Sequence, residues 1–218
     1  ILKLTFLLFG TSLFAQTTWT VDNRPGTTAQ FTSVQAAHDA AASGDFIYVH
    51  PSPNTYGSIT ISKEIHLRGI GHSPELANGE YAYLSNISLS TNSTEATLCS
   101  NSSISGLNIN SISDGNGGAF TNILIQNNRI NYLNFYQAYN YIIQGNVFNS
   151  SSGYSIYLNG ASHANNLISH NIFNMVGNTS ATTAIFNNLL ASDTVANNLI
   201  MMNYNSATST FFNNCNNT

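Results

Sequence analysis

The sequence has very little charge. Only 6% of its 218 residues are Asp, Glu, Lys or Arg, against about 25% in an average globular domain. Five Lys and Arg residues are too few to neutralise the phosphates of a nucleic acid, so we exclude that partner. No polybasic segment that could bind an anionic membrane surface is present either. Hydrophobic residues make up 42% of the chain, which is enough for a substantial core and argues against a disordered protein.

Cysteine is also scarce, since Cys99 and Cys215 are the only two. A disulfide-rich scaffold is therefore excluded. The repeats described below place the two residues several turns of the chain apart, beyond the reach of a disulfide. We expect two separate thiols.

No apolar run is long enough to span a membrane, but the first residues have the features of a signal peptide. Lys3 precedes an apolar run over residues 4–14, and Ala15 occupies the small-residue position of a cleavage site. Residues 1–15 are therefore predicted to be a signal peptide, with a buried N-terminal strand as the alternative. We expect a secreted or cell-surface protein that continues beyond Thr218 into a further domain.

Internal repeats dominate the second half of the chain. Four segments share one pattern: an aliphatic residue, two variable residues, an asparagine, one variable residue and a large apolar residue. The earlier segment SISGLNI follows the pattern with Leu107 in the asparagine place. Successive copies start 18, 25 and 27 residues apart, a period typical of one supersecondary unit per turn of a solenoid. The copies are Ile125-Asn128-Ile130, Ile143-Asn146-Phe148, Ile168-Asn171-Phe173 and Val195-Asn198-Ile200.

Stacking these copies predicts parallel strands and a file of asparagines. The segments are rich in Ile, Phe, Tyr and Asn and are bounded by Ser, Gly and Asn, which favours strands and turns over helices. The side-chain amides of Asn128, Asn146, Asn171 and Asn198 can bond to one another from turn to turn as a ladder. Asn also tolerates the left-handed backbone region, so we interpret these four residues as the turn residues themselves.

A second set of segments lies between the first. Each member consists of two apolar residues followed by asparagine, and we align the members on that asparagine. The members are Tyr132-Leu133-Asn134, Tyr157-Leu158-Asn159, Ile185-Phe186-Asn187 and Phe211-Phe212-Asn213.

The N-terminal part, residues 16–71, has a different character. The segment FTSVQAAHDAAASGD predicts a helix that is capped by Thr32 or Ser33 and ended by Gly44. Alternating apolar residues in FIYVHP and GSITISKEIHLRGIG predict strands. Such a helix would cover the open end of the solenoid core, and residues 72–218 would form its further coils.

This N-terminal stretch resembles the entry segment of secreted right-handed parallel β-helix proteins of the pectin-lyase-like superfamily. The shared features are a capping helix, Gly44-Asp45 before a strand, a Tyr56-Gly57 turn, and an apolar strand that ends in glycine over residues 65–71. The resemblance implies an all-β fold, a right-handed parallel β-helix with a short N-terminal capping helix. It implies no single activity, because the superfamily contains polysaccharide lyases, glycoside hydrolases, esterases and proteins without a known reaction.

The coils offer few residues for catalysis. A glycoside hydrolase needs two carboxylates about 5–9.5 Å apart, whereas we expect about 15 Å along the axis between Asp114 and Asp193. A lyase needs clustered acids for Ca²⁺ and an Arg or Lys for the substrate carboxylate, but Arg129 is the only Arg or Lys after Arg68. We predict no catalysis, cofactor or metal in these coils. The alternative is a polysaccharide lyase or glycoside hydrolase, with Ca²⁺ in the lyase case, whose catalytic coils lie beyond residue 218.

Tyrosines are the best candidates for ligand binding. An exposed tyrosine beside Asn or Gln can stack on a sugar ring while the amides bond to its hydroxyls, although cross-strand packing would explain the same residues. We favour Tyr136 and Tyr139, which lie in a connection between strands, together with Tyr154. Asp114, which begins a glycine-rich loop, and Arg129 are weaker candidates. The sequence predicts a scaffold or adhesin-like protein that engages a polysaccharide or cell-surface glycan.

Overall fold

The computed structural model is a parallel β-helix, which confirms the predicted fold class. Of the residues that the structure describes, about 49% lie in strands and 4% in one short helix. The structure describes residues 16–71, 79–90, 99–114, 118–150, 153–158, 163–176, 184–203, 210–213 and 215.

The strands follow one another around the solenoid, and the helix lies near its N-terminal end. The helix α1 spans Val34–Ala40. The strands are β1 (Thr18–Val21), β2 (Phe46–Val49), β3 (Ser58–Ile61), β4 (His66–Arg68), β5 (Tyr83–Leu89), β6 (Ser103–Ser105), β7 (Asn108–Asp114), β8 (Phe120–Thr121), β9 (Leu124–Gln126), β10 (Arg129–Phe135), β11 (Ala138–Tyr139), β12 (Ile142–Gln144), β13 (Val147–Phe148), β14 (Ile156–Leu158), β15 (Leu167–Ser169), β16 (Ile172–Val176), β17 (Ala184–Asn187), β18 (Thr194–Ala196), β19 (Leu199–Asn203) and β20 (Thr210–Asn213).

Two long sheets and one short sheet form the walls. The eight-stranded sheet has the order β1-β2-β4-β6-β9-β12-β15-β18, and every named pair in it is parallel. The ten-stranded sheet has two branches that share β3, β5, β7 and β10: β3-β5-β7-β10 continues through β13-β16-β19 and through β14-β17-β20. The strands β8 and β11 pair separately. Each strand therefore lies beside its counterpart in the next turn, as the repeats predict.

The first set of repeats has the predicted register. Ile125, Ile143, Ile168 and Val195 are paired in succession along the eight-stranded sheet. The apolar residues that follow the asparagines form a second column, in which the rings of Phe148 and Phe173 stack 4.7 Å apart. Side chains from both columns enter one continuous hydrophobic core. Burial of this core is the main favourable term in folding.

The second set of repeats is shifted by two residues from the predicted alignment. Leu133 pairs with Ile156, and Asn134 pairs with Tyr157, whereas the sequence pattern aligned Asn134 with Asn159. Only the last pair, Phe186 with Phe212, has the predicted register. A shift of two residues keeps the same side chains facing inward, so the apolar pattern cannot distinguish the two registers.

The repeat asparagines are not the left-handed turn residues, so that part of the prediction was wrong. The left-handed residue is in each case the one before the repeat asparagine: Asn127, Gly145, His170 and Asn197 have φ between 54° and 64°. The asparagine that follows turns its side chain inward, and Asn128 and Asn146 are fully buried. The sharp turn and the side-chain ladder are thus made by two adjacent residues, because an inward side chain and a left-handed backbone are needed at different positions.

The N-terminal helix is shorter than predicted. Ser33 is the N-cap, since its side chain accepts a hydrogen bond from the Ala36 N–H, but the helix ends at Ala40 and not at Gly44. Ala41 is already extended, with ψ 147°, and the next N–H, that of Ala42, donates to the Asp45 carboxylate at 2.9 Å. This side-chain acceptor replaces a helical carbonyl and draws the chain out of the helix. Cys99 and Cys215 are both free thiols, as predicted.

Candidate functional site

A neutral polar file runs along the outside of the ten-stranded sheet. Side chains alternate between the two faces of a strand, so the residues next to the buried apolar ones point outward. The paired outward residues of β3, β5, β7, β10, β14, β17 and β20 carry hydroxyl and amide groups and no charge. They are Thr60, Ser88, Ser113, Asn134, Tyr157, Asn187 and Asn213.

A second outward file lies beside the first on four of these strands. Ser58, Asn86, Ser111 and Tyr132 are paired in succession. The Asn86 amide donates to Ser58 Oγ at 3.3 Å and accepts from the Ser111 hydroxyl. These bonds link Ser58, Asn86 and Ser111, and the next residue of the file, Tyr132, is 40% exposed.

The two files meet at an open groove of about 200 Å³ that is lined by Tyr132, Asn134, Tyr154 and Tyr157. The rings of Tyr154 and Tyr157 are stacked with centroids 5.1 Å apart and 11° between their planes. Three aromatic rings around one amide form a surface suited to a ligand that is apolar on one face and rich in hydroxyls at its edges.

The groove also has hydrogen-bonding capacity. The Asn134 Oδ1 atom is buried and has no hydrogen-bond partner among the described residues. The Tyr154 hydroxyl accepts a long hydrogen bond from Asn213 Nδ2 at 3.4 Å, and the same amide donates to Asn187 Oδ1 at 2.8 Å. An unpaired buried carbonyl is costly, and because this atom is covered, a ligand hydroxyl can bond to it only when the Asn134 side chain turns toward the groove.

The candidates from the sequence are only partly brought together. Tyr154 lines the groove, but Tyr136 and Tyr139 do not. Tyr139 pairs with Thr121 in the two-stranded sheet, and the Tyr136 N–H donates to Asp114.

Three groove residues were missed by the sequence reasoning: Tyr132, Asn134 and Tyr157. The signal for the first two was their spacing, because residues two apart on one strand face the same side. Their position opposite Tyr157 depends on the two-residue register shift.

Asp114 and Arg129 lie outside the groove. Asp114 is buried, and its two carboxylate oxygens accept the N–H groups of Tyr136 at 2.6 Å and Gln137 at 2.9 Å. Burial raises the pKa of Asp114 in spite of these hydrogen bonds. The Arg129 guanidinium lies 5.4 Å from the ring centroid of Tyr81, and its Nε is buried. Asp114 thus joins two neighbouring turns of the fold.

The repeat asparagines form one file inside the turn. Asn128 donates to Asn146 Oδ1, Asn146 to Asn171 Oδ1, and Asn171 to Asn198 Oδ1, each through both the backbone N–H and the side-chain amide at 2.9–3.1 Å. At one end of the file the Leu107 N–H donates to Asn128 Oδ1 at 3.0 Å. The file stabilises the turn and presents no atom to the groove.

A buried histidine–aspartate pair lies at a third place in the coils. His163 Nδ1 is 3.1 Å from Asp193 Oδ2, and both side chains are almost fully buried. Burial by itself would raise the pKa of Asp193, but the nearby His163 imidazole and the hydrogen bonds from Leu190 and Asn166 outweigh it, and the pKa is lowered. His170, by contrast, is exposed at its left-handed turn position. The part of the chain that the structure describes contains no group of three or more His, Cys, Asp or Glu that could hold a metal ion.

Comparisons with models of protein families, with curated proteins and with solved structures gave no match to this chain. Among the described residues, no helix is long and apolar enough to cross a membrane.

Proposed function

We propose that this protein is an exported β-helix scaffold that binds a neutral polysaccharide or cell-surface glycan through the tyrosine groove. The observation that carries the proposal is the groove of Tyr132, Asn134, Tyr154 and Tyr157 at the junction of two uncharged polar files. Export follows from the signal-peptide features of residues 1–15. The superfamily that the N-terminal stretch resembles includes polysaccharide lyases and glycoside hydrolases, so a carbohydrate ligand is compatible with the resemblance, which implies no single activity.

Sugar chemistry fits this surface. A pyranose ring has one apolar face that packs on an aromatic ring, and its hydroxyls bond to amides and phenols at the rim. Tyr154 and Tyr157 supply stacked rings, and the side-chain amide of Asn134 lines the same groove. The polar files extend over seven strands, or about 29 Å at the usual strand spacing of about 4.8 Å. A chain-like ligand could therefore continue beyond the groove along the same face.

The proposal is tested by isothermal titration with neutral oligosaccharides such as cello-, xylo- and manno-oligosaccharides. We expect binding of at least one series, with an affinity that changes little with salt because the face carries no charge. Replacing Tyr157 or Tyr132 with Ala should weaken binding about tenfold, since an aromatic contact contributes about 1.4 kcal/mol.

Tyr139→Ala is the matched control, because it removes the same side chain outside the groove. It should leave the affinity unchanged. The proposal is wrong if no neutral glycan binds, or if Tyr139→Ala weakens binding as much as the groove variants do.

A further inference from the structure

The outer face of the eight-stranded sheet differs from the tyrosine face. The pairing of its strands aligns two outward ranks of eight residues each. The first rank is Thr18, Phe46, His66, Ser103, Leu124, Ile142, Leu167 and Thr194. The second is Thr20, Tyr48, Arg68, Ser105, Gln126, Gln144, Ser169 and Ala196. Arg68 is the only Arg, Lys, Asp or Glu in either rank.

Arg68 is exposed and held in place by an aromatic ring. Its guanidinium carbon lies 4.4 Å from the ring centroid of Phe46 on the neighbouring strand. The guanidinium makes no ion pair or hydrogen bond with the described residues. Arg24 differs, because it is paired with Asp22 at 2.7 Å and lies 3.8 Å from Glu80. Stacking restricts the rotamers of Arg68, so less entropy is lost when its N–H groups bind a ligand.

None of the described carboxylates lies within ion-pair distance of the Arg68 guanidinium. The other residue of the two ranks that can carry a positive charge is His66, whose ring centroid lies 4.8 Å from that of Phe46. Burial lowers the pKa of His66, and the charge of Arg68 lowers it further against the opposing effect of Glu64. The imidazole is therefore neutral at neutral pH. Glu64 lies 3.8 Å from His66 Nε2.

An open groove of about 270 Å³ adjoins this guanidinium and is lined by Thr18, Phe46, Tyr48 and Arg68. The side-chain hydroxyls of Thr18 and Tyr48 have no hydrogen-bond partner within the described part of the chain. The groove therefore combines one pre-positioned cation, two hydroxyls and the aromatic rings of Phe46 and Tyr48. This combination suits an oxyanion that is attached to a small ring.

We propose that the groove of Thr18, Phe46, Tyr48 and Arg68 is a second binding site, which takes an oxyanion carried on a sugar ring. The oxyanion is a carboxylate or a sulfate, and it accepts N–H groups from the Arg68 fork. The site lies on a different sheet from the tyrosine groove and shares no residue with it. Its ligand is anionic, whereas the tyrosine groove favours a neutral one.

The probes are D-glucuronate, glucose 6-sulfate and D-glucose, titrated into the whole chain labelled with ¹⁵N and followed by NMR at the Arg68 Nε–H and the Tyr48 amide. We expect a saturable shift with at least one of the two anionic sugars and none with glucose. Preference for glucuronate identifies a carboxylate ligand, and preference for glucose 6-sulfate identifies a sulfate ligand. Either result supports the site.

Two variants separate a specific site from general charge attraction. R68Q should weaken binding of the preferred anionic sugar about tenfold or more, and R68K should keep part of it, because Lys retains the charge without the planar fork. R24Q removes the same charge elsewhere and should leave binding unchanged, as should Tyr157→Ala in the other groove. Circular dichroism of each variant checks that it is folded.

The site is rejected if neither anionic sugar shifts these resonances, if R68Q binds as well as the unaltered chain, or if R24Q weakens binding as much as R68Q. None of these results bears on the tyrosine groove, which is tested with neutral oligosaccharides.

Discussion

At the scale of single residues, each buried asparagine of the file needs several hydrogen bonds to satisfy its side-chain amide. Asn146 is fully buried and accepts both N–H groups of Asn128 at 3.0 and 3.1 Å. Its own amide donates to the Ile125 carbonyl at 2.9 Å and to Asn171 Oδ1 at 3.1 Å. Leaving a buried polar group without a partner destabilises the fold by more than a typical hydrogen bond stabilises it. Every member of the file is therefore required by its neighbours.

Asn146→Ala should lower the free energy of unfolding by about 3 kcal/mol, because it leaves the buried Asn128 N–H without an acceptor and removes the side-chain hydrogen bonds of Asn146 to the Ile125 carbonyl and to Asn171. Urea unfolding followed by circular dichroism measures the loss. The control is Asn131→Ala, which removes one half-buried amide bond to Asn110 and should cost about 1 kcal/mol or less. Equal losses in the two variants would show that the buried file has no special role.

At the scale of elements, the turns between strands are limited by how closely the backbone of one turn approaches the next. Gly106 has φ +70°, and a Cβ atom on it would lie 2.7 Å from the Gly69 carbonyl oxygen of the preceding turn. The Gly71 N–H donates to the Gly106 carbonyl at 2.9 Å, so the two turns are hydrogen-bonded at this point. A side chain on Gly106 would therefore collide with the backbone of the preceding turn, and the hydrogen bond between the two turns keeps that backbone from moving away.

Gly106→Ala should therefore destabilise the protein by about 3 kcal/mol, the sum of left-handed strain and the displacement of a hydrogen-bonded turn. Gly26→Ala is the matched control, since Gly26 has φ +77° but nothing within 4 Å of the added carbon. It should cost only the strain, about 1 kcal/mol. The midpoints of thermal and urea unfolding compare the two variants, and a similar cost for both would mean that the close approach is unimportant.

At the scale of the whole molecule, a few buried carboxylates join elements that are distant in sequence. Asp45 accepts the Thr17 N–H at 2.8 Å, the Trp19 Nε1–H at 3.0 Å and the Ala42 N–H at 2.9 Å, and so connects β1, the end of α1 and β2. Burial alone would raise the pKa of Asp45, but these hydrogen bonds outweigh it and the pKa is lowered. A lowered carboxyl pKa stabilises the folded state above the unfolded pKa of about 3.9, and that stability is lost as the pH falls through the folded pKa.

The free energy of unfolding should thus decrease as the pH is lowered below about 4, the usual range of a carboxyl pKa. Asp45→Asn should be less stable than the unaltered chain at neutral pH and should lose less of its stability in acid. Trp19, the only tryptophan, reports the change by its fluorescence during urea unfolding at each pH. Asp114 acts in the opposite direction, because its raised pKa favours the folded state at low pH. An acid dependence in Asp45→Asn as steep as in the unaltered chain would contradict the role of Asp45.

Local patterns predicted the columns and the cap of this protein. Ile125, Ile143 and Ile168 each precede a repeat asparagine by three residues. Aligning the asparagines therefore also aligned these apolar residues, and the strands pair in that register. The patterns were less informative where one residue type serves two roles. Asparagine occurs both at the left-handed position, as in Asn127, and at the ladder position, as in Asn128, and the sequence alone does not separate these roles.

The sequence by itself determined that the chain is a parallel β-helix with stacked apolar columns and an asparagine file, because residues of one type recur once per turn. Only the tertiary structure decided which outward residues share a site. A strand that slides by two residues buries the same side chains, so burial cannot set its register, and that register places Tyr157 beside Asn134. The groove of Thr18, Phe46, Tyr48 and Arg68 likewise joins residues from three successive turns, which no local pattern brings together.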